Sequence, residues 1–168
     1  MNEESLYWAE GALCIVLLFL VVRNLAFRWR IRKHGFDKAA ISAISMAYKR
    51  ADKRRQSYSY LHLLLSLVED RENMVSRTLQ KLGFDLQKGC DHLVMKVDNA
   101  PIVLDPQYEF MKAVSIALAE AGEARTNTAH LMLGLIQAAP HLVDDLLKDT
   151  DISTADLLVE IQRGRGQV

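Results

Sequence analysis

The sequence predicts an all-α protein, with a single N-terminal membrane-spanning helix followed by two copies of a four-helix unit, eight helices of domain in all. Three observations predict it. The first is a stretch that occurs twice: Tyr60-Leu61-His62-Leu63-Leu64-Leu65-Ser66-Leu67-Val68 reads nearly position for position onto Thr128-Ala129-His130-Leu131-Met132-Leu133-Gly134-Leu135-Ile136. Both stretches are apolar on every helical face, so other helices must enclose them. Internal repetition of this kind sets the architecture before any local motif is weighed. The second is a ladder of small residues upstream of each copy, Ala43, Ala47 and Ala51 matched by Ala113, Ala117 and Ala121. A spacing of four places them on one helix face, where a neighbour can approach closely. The third is an apolar run from Leu6 to Phe27, interrupted only by Glu10 and Arg23 near its ends.

That run forms an appendage, residues 1–33. Tyr7 and Trp8 at one end and Trp29 at the other have the character of interfacial aromatic belts. As a helix, Tyr7 to Trp29 would measure roughly 33 Å at ~1.5 Å per residue, about one hydrocarbon thickness. A cleaved signal peptide fits poorly, because the leading residues carry Glu3 and Glu4 and no Ala-x-Ala site follows. Residues 6–29 are therefore expected to meet lipid, with Arg23 reaching back to the interface. Arg28, Arg30, Arg32 and Lys33 follow the span while acids precede it. Positive-inside logic then puts the N-terminus outside and the C-terminal domain in the cytoplasm, as in a bacterial inner-membrane protein crossing once.

Composition excludes several functions. The 168 residues are 50% apolar and 25% charged, with 21 basic and 21 acidic side chains. That balance gives no reason to expect nucleic acid as a partner. Cys14 and Cys90 lie far apart in different parts of the chain, which argues against a disulfide framework.

Within the domain, 37–163, repeat one covers about 37–97, a Pro-containing linker 98–106, and repeat two 107–163. Asp37 is placed to cap a helix running to about Lys53, and Ser59 and Asn127 to cap the two histidine helices. Glu72 or Asn73 opens the next helix, which Gly83 ends in the left-handed position. Asp85 caps a helix with the apolar stripe Leu86, Cys90, Leu93, Val94, Val97, making Cys90 a small core residue matched by Leu158 in repeat two. Pro140 suits a first helical position, and Ser153 with Asp156 resembles a capping box before the last helix. Gly164-Arg165-Gly166 is expected to end the ordered chain.

The order is an alanine-laddered helix, a polar loop, a His-Leu-Leu-Leu helix, a third helix, a Gly83-Phe84-Asp85 turn and a fourth helix, then the whole again. It resembles the amino-terminal double-repeat domain of the Clp ATPase family, here without the ATPase module and behind a membrane anchor. Met46-Ala47-Tyr48-Lys49-Arg50-Ala51 followed by Leu61-His62-Leu63-Leu64-Leu65 carries the resemblance most clearly, over about 37–163. It implies a domain without chemistry of its own, which docks substrates and adaptors. The family usually has Thr-Glu-His ahead of each Leu run, and in one branch that pair of glutamates reads phosphorylated arginine. Leu61 and Ala129 replace the acid in both copies, so that role is not carried over.

No Gly-x-x-x-x-Gly-Lys-Ser/Thr appears, so nucleotide is not expected. His62 and His130 have no Cys, Asp or Glu at ligand spacing on their own helices and read as structural, not as metal ligands. Sequence order sets no base beside Asp144 and Asp145, and an enzyme is not expected; no cofactor is implied. The expected function is a membrane-anchored protein-binding module that recruits or sequesters a protein at the cytoplasmic face. Its candidate contacts are Tyr58, Tyr60, Leu61, Thr128 and Ala129, around the loops before the histidine helices, with exposed apolar residues between the repeats. The alternative is a subunit of a membrane assembly, or a protective immunity-type protein, whose span makes the specific contacts.

Overall fold

Asp37 starts the domain as an N-cap, its carboxylate accepting the Ala40 N–H at 2.7 Å. The helix it opens is α1 (Lys38–Lys53), followed by α2 (Tyr60–Glu69), α3 (Met74–Lys81), α4 (Leu86–Asp98), α5 (Pro106–Ala121), α6 (Thr128–Ala138), α7 (Pro140–Leu147) and α8 (Thr154–Arg165). These come from a computed structural model, which describes residues 35–100 and 106–165. The described residues hold eight helices and no strand beyond an isolated parallel bridge between Phe36 and Thr126. None of these helices is long and apolar enough to cross a membrane. The span expected over 6–29 lies outside the described residues.

The repeated stretches are the two central helices. In α2 all but Leu61 and Glu69 are buried, and in α6 everything from Thr128 to Ile136 is buried. Helix α2 packs on α1, α3, α4, α5 and α6, while α6 packs on α1, α2, α3, α5, α7 and α8. Each Leu enclosed this way contributes ~1.5–3 kcal/mol relative to exposure. Both alanine ladders face inward, with Ala43, Ala47, Ala51, Ala113 and Ala117 fully covered. A Cβ added to Gly134 would lie 2.2 Å from the Ala113 carbonyl oxygen, so α6 rests on the α5 backbone there. Ser66 occupies the matching place in α2, its Oγ donating to the His62 carbonyl at 2.8 Å.

Local chemistry closes the remaining ends. Asn73, rather than Glu72, caps α3, its Oδ1 accepting the Ser76 N–H at 3.0 Å. Its amide also donates to the Leu67 carbonyl at 2.8 Å, and Ser76 Oγ donates to the same oxygen at 2.8 Å, so the open end of α2 is satisfied by the start of α3. At the other end of α3, Gly83 takes φ +90°; the Phe84 N–H reaches the Leu79 carbonyl and the Gly83 N–H the Gln80 carbonyl, both at 2.9 Å. This is a complete Schellman motif. The Ser153–Asp156 capping box forms as well, with each backbone N–H 3.1 Å from the other's side-chain oxygen.

Three expectations are corrected. Cys90 is only half-buried; Gly89 beside it is the covered position, because the Phe84 ring lies where a Gly89 Cβ would be, 2.5 Å away. Repeat two solves the same space with Ile152 and a fully buried Leu157, so size has moved from one residue to its partner. Pro106 begins α5 instead of closing the linker, as suits a residue whose missing N–H is not needed at a helix start. Gly164 and Arg165 continue α8, and Gly164 is where the flexible Met74 side chain of α3 packs against it.

Candidate protein-interaction site

Four of the five tyrosines lie beyond residues 1–34, namely Tyr48, Tyr58, Tyr60 and Tyr108, and the fold gathers them where the two repeats meet. Tyr48 leaves α1 beside the alanine ladder, and its ring centroid is 4.2 Å from that of Tyr58 in the following loop. Both lean on the buried Phe110 of α5, at 5.3 and 5.5 Å in tilted and edge-on arrangements. Such pairs add about 0.5–1.5 kcal/mol beyond their area. Tyr60 starts α2 and is 6% exposed. Burial raises its phenol pKa, and the nearby Glu109 and Tyr108 raise it further, so it stays neutral. Tyr108, by contrast, is 62% exposed.

The loop carrying Tyr58 is held on both sides. Helix α1 ends in a Schellman motif, Gln56 N–H to the Ala51 carbonyl at 2.9 Å and Arg55 N–H to that of Asp52 at 3.0 Å. Arg55 takes the left-handed position, φ +55°, that glycine usually fills. The Gln56 amide then donates to the Val97 carbonyl at the end of α4, at 3.1 Å. Between α1 and this loop runs a groove of about 470 Å³ lined by Tyr48, Lys49, Asp52, Gln56, Ser57 and Tyr58. It offers ring faces together with one ammonium and one carboxylate.

Of the expected contact residues, Tyr58 lines this groove and Leu61 is half-buried. Tyr60, Thr128 and Ala129 are corrected. At 6%, 2% and 0% exposure they are core and present no face to a partner, because the first turns of α2 and α6 already lie inside the domain. Tyr48 and Tyr108 were not among the expected residues. Tyr108 follows the linker and so fits the general expectation of exposed apolar residues between the repeats. Ile41, Met95 and Val159 are exposed too, at 50%, 66% and 57%, on other helices.

The two histidines do capping work. His130 Nδ1 accepts the Asn127 N–H and the His130 N–H donates to Asn127 Oδ1, each at 3.1 Å. In repeat one, His62 Nδ1 accepts the Ser59 N–H at 3.3 Å and is 3.1 Å from Ser59 Oγ. Histidine thus fills the place of Glu or Gln in a capping box, which needs Nδ1 free of a proton. Burial, then the cationic Arg54 and Arg50, lowers the His62 pKa. The folded state therefore binds this proton later than the unfolded chain does. The stability it contributes is complete above about pH 6.5 and is lost as pH falls through the lowered folded value, by at most ~1.4 kcal/mol per pH unit. Replacing His62 by Gln keeps an acceptor for Ser59 and removes the titration. Urea midpoints followed from pH 7 to 5 should fall for the native chain and stay flatter for His62→Gln; equal slopes would refute the assignment.

Asp145 titrates in a lower window. Hydrogen bonds from Lys96 and then His92, at 2.7 and 2.9 Å, lower its pKa, so its contribution is present above the ordinary carboxylate value and lost only below it. These contacts also correct the expectation that no base stands beside this acid. They tie α4 to α7, across the repeats. Burial, and next Asp91, pushes the Cys90 thiol up, which leaves it a poor nucleophile.

No family model matches this sequence. No curated protein matches it either. Among solved structures it is similar to the Hsp104 N-terminal domain from Candida albicans, with a TM-score of 0.67 at 15% identity, covering 80% of this chain and 93% of that one. The fold is of the Clp N-domain type: all-α, with eight helices described.

Proposed function

We propose that this chain is a membrane-anchored protein-binding module without catalytic activity, which recruits or sequesters a protein at the cytoplasmic face. It uses neither nucleotide nor nucleic acid. The observation that carries the reading is the tyrosine junction: a groove walled by Tyr48 and Tyr58, both against Phe110 of α5, with the 62% exposed Tyr108 two residues before Phe110 on that helix, on a domain of Clp N-domain fold. Tyrosine combines apolar area with a hydrogen-bonding tip and is enriched where binding energy concentrates. The Clp resemblance supports docking, and the Leu6–Phe27 run with its basic flank supports the anchor.

The test is a pull-down from detergent with the full chain, with residues 34–168 alone, and with Tyr108→Ala. Retention by the shorter piece together with at least about tenfold weaker binding by Tyr108→Ala supports docking at the junction. A partner lost with residues 1–33 and indifferent to Tyr108 points to a membrane-assembly subunit or immunity-type protein whose span makes the contacts. The full chain should also stay with membranes through high salt and carbonate; release by high salt alone defeats the anchor.

A further inference from the structure

Helix α1 has a second face with a different character. At 3.6 residues per turn, Lys38, Ser42, Ser45, Lys49 and Lys53 fall on the side opposite the buried Ala43–Ala47–Ala51 ladder. Lys38, Lys49, Lys53 and the following Arg55 are exposed, and none of them forms an ion pair among the described residues. The two arginines in the same run are spoken for: Arg50 pairs with Glu69, and Arg54 with Asp98 at 2.6 Å. Asp52 is the single acid within α1.

The fold does not require these cations. At the matching positions of repeat two, Lys38 becomes Tyr108, Lys49 becomes Ala119 and Lys53 becomes Glu123. Repeat one carries two extra residues after its ladder, and α1 accordingly runs on through Asp52 and Lys53, whereas α5 stops at Ala121. Arg55 adds a fourth charge from a left-handed backbone position that would suit glycine better. The whole chain is neutral by formal charge, so the patch is a local concentration and not a reflection of composition.

We infer that the outer face of α1, through Lys38, Lys49, Lys53 and Arg55, lies on anionic lipid headgroups. This rests on the anchored reading above. The occupant follows from charge complementarity and from chain order: α1 begins five residues after Lys33, the last cation of the run behind the expected span. A lysine ammonium is a compact, hydrated point charge on a flexible stem, suited to a fluid array of phosphates and carboxylates. Near an anionic surface each such cation favours association by about fivefold, within a screening length of about 8 Å at physiological salt. With this side of α1 on the bilayer, the anchor and the domain would engage the membrane together.

The full-length protein should be placed in nanodiscs of phosphatidylcholine alone or with one-third phosphatidylserine, and lysine acylation rates read by mass spectrometry. Lys49 and Lys53 should be protected about fivefold or more in the anionic discs only, and the protection should fade in high salt. Lys88, Lys112 and Lys148, exposed elsewhere on the domain, should label alike in both. In the Lys49→Glu, Lys53→Glu double variant, Lys38 should lose its dependence on phosphatidylserine. Labelling of Lys49 and Lys53 as fast as Lys148 in anionic discs, with the protein incorporated, overturns the inference and leaves the anchor standing. Protection that needs cell extract and appears equally in neutral discs overturns it in favour of an acidic protein partner. A chain that does not enter the discs at all sinks the anchored reading, and the inference with it.

Discussion

Replacing Gly134 by Ala should destabilise the domain by about 2–3 kcal/mol, although Ala is the better helix former by roughly 1 kcal/mol. The added Cβ would sit 2.2 Å from the Ala113 carbonyl oxygen and 3.1 Å from the Ala117 nitrogen. These are backbone atoms of α5 and cannot rotate aside, so α5 and α6 must separate along the ladder that Ala113 and Ala117 provide. Ser66→Ala supplies the matched control in repeat one. Ser66 already carries a Cβ, and its loss removes a hydroxyl donating to the His62 carbonyl, for about 1 kcal/mol. Urea unfolding of both variants gives the comparison. A Gly134→Ala protein as stable as the native one would mean that the helices are not in contact there.

The ladder, the buried helices and the caps were all legible because each rests on a signal carried by neighbouring residues. Ala43, Ala47 and Ala51 announce their face by spacing alone. Gly83 and Asp85 act within one turn of where they stand, as do Ser59 and Asn127, although the histidines that complete their capping boxes read from sequence only as structural. What could not be read depends on residues distant in sequence. The exchange of bulk between Phe84 with Gly89 and Ile152 with Leu157 is invisible to an apolar pattern, which counted Cys90 as core on its periodicity. Thr128 and Ala129 looked like surface because they follow a loop, yet α6 is enclosed from its first residue. The tyrosine junction is assembled from α1, a loop, α2 and α5, so only Tyr58 and Tyr60 drew notice, and of these Tyr60 proved buried. His92 reaches Asp145 across a separation of 53 residues, which no local motif encodes.

Truncating Leu64 or Met132 to Ala should cost about 2–5 kcal/mol each, against a typical total of ~5–15 kcal/mol for a domain. Both side chains are 0% exposed at matching positions of α2 and α6. Each would leave a cavity that close-packed neighbours fill only in part. Lys112→Ala, an exposed change on α5, should stay within about 0.5 kcal/mol and marks the baseline. The shape of the transition is as informative as its midpoint. Helix α2 packs directly on α5 and α6, α3 on α6 and α8, and α4 on α7, so the repeats share one core. The Lys81–Glu160 ion pair at 2.6 Å joins them again at the surface. Either truncation should therefore move a single cooperative transition seen alike by far-UV circular dichroism and by tryptophan-independent probes such as tyrosine fluorescence. Two separated transitions, with Leu64→Ala shifting one and Met132→Ala the other, would show that the repeats fold as independent units and that the core described between them does not hold.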